Sequence, residues 1–157
     1  MNADASTPPR RSASLGYQVN HLGRLLAHAL RARIAPYGVV PGQFAQLLAL
    51  YEHDGPAGLT QNELCQRVRI DQSTMAHTLQ RMARDGLLER TADVADRRRT
   101  LITLTERARQ LEAGLLDAAR EVNASAARGL PEDEVAACLQ TLSRMIANLE
   151  AEHTSDR

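Results

Sequence analysis

Two short helical stretches lie back to back between residues 60 and 86, and the corner between them restricts the fold more than any other feature. Thr60-Gln61-Asn62-Glu63 has the pattern of a capping box, in which the Thr hydroxyl and the Glu carboxylate satisfy each other's backbone donors. It opens a helix that buries Leu64, Cys65 and Val68. Arg69 and Ile70 lead at once to Asp71, a good N-cap, and to a second helix that Gly86 stops. Two helices joined by so short a turn are the signature of a helix-turn-helix, although this turn lacks the glycine such motifs often carry.

Beyond Gly86 the apolar period falls from that of a helix to that of a strand. Leu87–Thr91 and Thr100–Leu104 read as the strands of a hairpin whose tip, residues 92–99, is polar and rich in arginine. A helix-turn-helix followed by a hairpin predicts a winged helix, an α+β arrangement that is mainly helical.

Helices flank this unit. Leu15, Val19, Leu22, Leu26 and Ala29 keep helical spacing up to the Pro36 and Gly38 break. A helix from Pro41 carries Phe44, Leu47, Leu48 and Tyr51 and ends before a turn at Gly55-Pro56-Ala57-Gly58. Thr105 caps a long helix buried through Ala108, Leu111, Leu115, Ala118 and Val122. After Gly129 and Pro131 a last helix is expected to bury Val135, Leu139, Leu142, Ile146 and Leu149. The predicted layout is an arm over residues 1–12, disordered because it is rich in Pro, Ser and Arg, and one domain over 13–157. In that domain about 41–104 form the winged-helix lobe, and 13–35 with 105–152 are dimerisation helices. The outer helices present apolar stripes that one copy cannot cover, so a homodimer is expected.

Composition narrows the class. The 157 residues, 43% apolar with 19 basic against 19 acidic side chains, suit one folded domain and argue against disorder. Aromatics are 3% with no Trp, which favours helix over strand. Cys65 and Cys138 cannot make a disulfide framework and read as small buried hydrophobes. No apolar signal segment opens the chain and no apolar run is long enough to span a membrane, so a cytoplasmic location is expected. His21, His28, His53, His77 and His153 lack the grouped carboxylate or thiolate partners of a metal site, and no metal or cofactor is expected. No nucleophile elbow or glycine-rich phosphate loop is present, so an enzyme is not expected. The neutral total hides a basic front, +4 over residues 1–35 and +2 over 60–100, and a back of −4 over 101–157. Such asymmetry suits a nucleic-acid binder.

On a helical wheel, Met75, Leu79 and Met82 of the second motif helix turn inward. Ser73, His77, Gln80, Arg81 and Arg84 fall on the outer face, which has hydroxyl, amide and guanidinium donors and no acid. That face suits the major groove of DNA. Gln72, His77 and Arg81 are candidates for base edges. Ser73 and Thr74, with the helix N-terminal amides, are candidates for phosphate, as are Gln61 and Arg69. At the hairpin tip Arg97 and Arg98 adjoin Asp96 and suit the negative potential of a narrow minor groove.

Taken in order, several segments resemble the MarR family of bacterial and archaeal regulators over residues 15–150. They are Thr60-Gln61 with Glu63-Leu64, Asp71-Gln72-Ser73-Thr74, Leu79-Gln80-Arg81-Met82, Asp85-Gly86-Leu87-Leu88-Glu89-Arg90, Asp96-Arg97-Arg98 and Leu104-Thr105. Ala76-His77 departs from the family's usual hydroxyl residue and Arg, Ala108 replaces a common Gly, and Cys65 stands where a small residue is usual. The resemblance implies that Arg98 enters the minor groove and that Asp96 orients it. It also implies a small effector, often phenolic or aromatic, lodged between dimerisation helices and DNA-binding lobe; the sequence does not show which residues line that site. The reading is a sequence-specific DNA-binding transcriptional regulator, a ligand-responsive repressor that acts as a homodimer on a palindromic operator. The competing reading is a winged-helix protein-interaction module that no longer binds DNA. His77 in place of an arginine favours it slightly; Arg81, Arg84, Arg97 and Arg98 speak against it.

Overall fold

The computed structural model describes residues 11–53 and 58–155. The first ten residues of the expected arm, and Gly55-Pro56-Ala57 of the expected turn, lie outside the described residues, as does the His153 side chain. Residues Arg11–Ala13 form one 3-10 turn.

Nine elements follow among the described residues: α1 Leu15–Ile34, a 3-10 turn Ala35–Tyr37, α2 Pro41–Tyr51, α3 Gln61–Val68, α4 Gln72–Arg84, β1 Leu88–Ala92, β2 Thr100–Leu104, α5 Glu106–Ala126 and α6 Glu132–Ser155. The predicted winged helix is present. β1 and β2 pair antiparallel from Leu88↔Leu104 to Ala92↔Thr100, and Leu59 bridges Ile102 from the other side.

Local chemistry accounts for the boundaries. The capping box forms as read, Thr60 N–H donating to Glu63 Oε2 at 2.7 Å and Glu63 N–H to Thr60 Oγ1 at 3.3 Å. α4 ends in a Schellman motif. Gly86, at φ 68°, donates to the Ala83 carbonyl, and the Leu87 N–H donates to the Met82 carbonyl at 2.9 Å. Leu87 is thereby claimed by the helix end, so the first strand begins at Leu88, one residue later than the sequence suggested. The α3–α4 corner turns on Arg69, which adopts φ 59° and ψ 48°. A non-glycine residue therefore takes the left-handed conformation, and no glycine is needed.

The chain divides into two compact units, residues up to Val122 and residues from Asn123. In the first, Ile34, Leu47, Leu64, Met75, Leu79, Met82, Leu87 and Leu115 form a core with almost no exposure. Leu15, Val19 and Leu22 of α1 stay about half exposed. In the second, the α6 stripe is only partly buried, in line with the expectation that one copy cannot cover it. Val135 and Leu142 are half-buried, while Leu139, Ile146 and Leu149 are 61%, 46% and 58% exposed. That unit holds little besides α6, and none of its described residues belongs to the buried core. Cys65 is buried as expected, but Cys138, on the same uncovered helix, is exposed.

Candidate nucleic-acid interface

The interface is built on α4, which is fixed at its back and at its end. Met75, Leu79 and Met82 are fully buried, as the wheel required. Past its last turn, Gln43, itself buried on α2, donates to Asp85 Oδ2 at 2.6 Å. The Arg107 guanidinium donates to the carbonyls of Asp85 and Tyr37, and Thr105 Oγ1 donates to the Gly86 carbonyl at 2.8 Å. These bonds tie the C-terminal end of α4 to α2 and to the start of α5.

Ser73, His77, Gln80, Arg81 and Arg84 are all exposed. Gln80 and Arg84, with Gln61, Ala76 and Ala83, line an open hollow of about 610 Å³ that Arg90 of β1 completes. Arg90 was not among the site residues read from sequence. It stands two residues after the buried Leu88, on the same face of β1, and that alternation could have found it.

At the start of α4 the donors are differently disposed from the sequence reading. The Asp71 carboxylate accepts the Thr74 hydroxyl at 2.6 Å and the Thr74 N–H at 2.9 Å. Those two bonds hold the Asp71 carboxyl below its ordinary range, hydroxyl first. Both Thr74 donors are thus committed within the chain, which leaves Ser73 as the exposed hydroxyl beside them. Gln61 and Gln72 are joined to each other: Gln61 Nε2 donates to Gln72 Oε1 at 2.9 Å, and Gln72 Nε2 donates to Asn62 Oδ1. Asn62 was not singled out from sequence. Arg69 is exposed at the corner.

In the wing, the Asp96 carboxylate accepts the Arg98 main-chain N–H at 3.0 Å, and the Arg99 N–H closes onto the Asp96 carbonyl at 2.9 Å. Asp96 therefore acts on the backbone that carries Arg98, not on its guanidinium. Arg99 turns back, 3.7 Å from Asp93 and 3.6 Å from Glu63 of α3. Hydrogen bonds from Thr60, main chain before hydroxyl, and then the Arg99 charge keep the Glu63 carboxyl below its usual value. Among the described residues no carboxylate pairs with the Arg97 or Arg98 guanidinium; both are exposed. Burial pushes the Cys65 thiol up, away from the reactive thiolate. Among the described residues no three His, Cys, Asp or Glu side chains gather as a metal site, and no helix is long and apolar enough to cross a membrane.

Comparison with known proteins places this geometry. The MarR family profile matches residues 37–99, from the turn before α2 to the wing. The HTH-type transcriptional repressor NicR of Pseudomonas putida is 32% identical over 104 residues, 66% of this chain; that stretch spans 64% of NicR, just under two thirds of its length. A MarR transcriptional regulator from Methanosarcina mazei has the same fold, with a TM-score of 0.75 and 28% identity over 85% of this chain and 94% of that one. The chain belongs to the MarR family. A second structure with this fold is BpsR of Bordetella bronchiseptica, whose DNA binding is regulated by 6-hydroxynicotinic acid. It is 25% identical, with a TM-score of 0.78 over 88% of this chain and 97% of BpsR. MarR proteins regulate transcription and are not enzymes, in keeping with the sequence reading.

Proposed function

We propose that this MarR protein binds double-stranded DNA as a homodimer, recognises a palindromic operator, and represses transcription until a small aromatic effector releases it. The observation that carries the reading is the outer face of α4, where Ser73, His77, Gln80, Arg81 and Arg84 are exposed and no acid interrupts them. Arg favours guanine O6 and N7 in the major groove, and Gln favours adenine. Arg97 and Arg98, free of carboxylate partners among the described residues, suit the adjacent minor groove. In this reading residues 41–104 carry the DNA face, and 13–35 with 105–152 make the dimer. The exposed stripes of α1 and α6 supply apolar surface for that contact. A twofold dimer presents two copies of α4 to successive major grooves, which requires a twofold operator. A protein that acts on a bacterial or archaeal chromosome works in the cytoplasm.

Repression is drawn from the likeness to NicR, and effector control from the likeness to BpsR. A cleft of about 220 Å³ lined by Leu50, Tyr51, Leu104, Arg109 and Glu112 in the first unit has room for a single ring. Selection from a random duplex library tests the reading. One enriched inverted repeat, bound by the dimer, is the expected result; the absence of any enriched duplex would reject it in favour of an interaction module.

A further inference from the structure

The N-terminal ends of α3 and α4 meet, and three primary amides join them. Gln61 Nε2 donates to Gln72 Oε1 at 2.9 Å and approaches the Gln72 main-chain carbonyl at 3.3 Å; Gln72 Nε2 donates in turn to Asn62 Oδ1. Both ends of the Gln72 amide are engaged, one as acceptor and one as donor. Flipping that amide alone would set donor against donor and acceptor against acceptor, and flipping all three together would lose the Gln61 bond to the Gln72 main-chain carbonyl, so the network fixes which end is which. A primary amide has two N–H donors and two carbonyl lone pairs. After these bonds Gln72 keeps one N–H and one lone pair. That is the set a bidentate contact to adenine requires, with N7 accepting and N6–H donating.

We infer that Gln61 is a positioning residue: together with Asn62 it holds the Gln72 amide in a set orientation from which Gln72 reads an adenine in the major groove. The inference rests on the duplex-binding reading and gives Gln61 a different role from a phosphate ligand. Gln61 is half-buried between the two helices while Gln72 is exposed, so the first stands behind the second. Immobilising one flexible side chain on binding weakens a contact by roughly tenfold. In this protein the neighbours impose that order before DNA arrives, and they favour only the base that the set orientation fits. A wrong base at the same step either leaves the amide unpaired or requires the network to break.

The test is selection from random duplexes, followed by titration of single-base variants of the enriched site. Gln72→Ala should flatten the preference for one adenine in each half-site. Gln61→Met, which keeps the length and helix propensity but has no amide, should flatten the same position by roughly tenfold. Its melting temperature and its slope of log affinity against log salt should stay those of the unaltered protein. The double variant should discriminate no worse than Gln72→Ala alone. Asn62→Asp keeps the acceptor and should retain the adenine preference, whereas Asn62→Leu should lose it. An intact preference in Gln61→Met overturns the inference. So does a uniform loss for all duplexes with a shallower salt slope, the mark of a phosphate ligand. A Gln72→Ala variant with unaltered preferences overturns it as well. If the unaltered chain enriches no duplex at all, it is the DNA-binding reading that has failed.

Discussion

The Asp96 carboxylate grips the main-chain N–H of Arg98 at 3.0 Å, and among the described residues no carboxylate pairs with the Arg98 guanidinium. The acid of the wing tip thus shapes the loop without neutralising the cation it presents. Charge counting and structure consequently make opposite statements about what Asp96 does for DNA binding.

Asp96→Ala removes a negative charge from the DNA-facing end, yet it should weaken duplex binding. The lost hydrogen bond is worth about 1 kcal/mol per wing, close to fivefold in affinity. Asp96→Asn retains the acceptor and should recover most of the loss. Fluorescence anisotropy at fixed salt measures both. Tighter binding by Asp96→Ala would show that charge, not loop shape, decides.

Arg98→Ala and Arg81→Ala should fail in different ways. The wing substitution should weaken operator and random duplex alike, because minor-groove readout is degenerate. In a dimer it should also make the salt slope shallower by about 1.8. Arg81→Ala should cost ~1–3 kcal/mol on the operator and relax preference at one base pair. Identical behaviour of the two variants would refute the division of labour between wing and α4.

Leu139→Asp combined with Leu149→Asp places two charges on the most exposed apolar positions of α6. If that stripe is the dimer contact, sedimentation should show loss of the dimer, and operator binding should fall with it. A double variant that remains dimeric at micromolar concentration would assign the contact to another surface.

Acid should loosen the motif through Glu63 and Asp71, whose carboxyls titrate below their ordinary 4.5 and 3.8. Because the folded values are the lower ones, the stabilisation is complete above the ordinary values and is lost as pH falls through the folded ones. Glu63→Gln keeps a capping acceptor for Thr60 but drops the charge near Arg99. It should melt below the unaltered protein at neutral pH, with the gap closing as pH falls toward 3. A gap that widens in acid would reverse the sign and remove Glu63 from the account.

Much of the fold was legible because its rules are local. The capping box, the Asp71 N-cap, the Gly86 stop and the inward trio Met75, Leu79 and Met82 each depend on residues within a turn or two, and the structure keeps them all. The site was legible as a face and less so as a set of partners. Thr74 reads as a phosphate donor until Asp71 is seen to hold both of its hydrogens. Gln61 and Gln72 lie eleven positions apart and meet only because the corner brings two helix starts together. Arg90 joins the hollow through strand pairing, and Arg99 leaves the wing face through Glu63, a residue of another helix. The exposure of Leu139, Ile146 and Leu149 was legible as an apolar side that one copy cannot cover, although helical spacing does not report what covers it.

Arg69 carries a quieter consequence. At φ 59° it holds a conformation that disfavours any residue with a Cβ, by roughly 1–2 kcal/mol. Glycine at this corner would remove that strain, at the expense of about 0.4–1 kcal/mol of added freedom in the unfolded chain. The strain is the larger of the two, so folding by itself favours glycine over arginine at position 69. The arginine is held there against the preference of its own backbone, and glycine at this position is expected to raise the melting temperature rather than lower it.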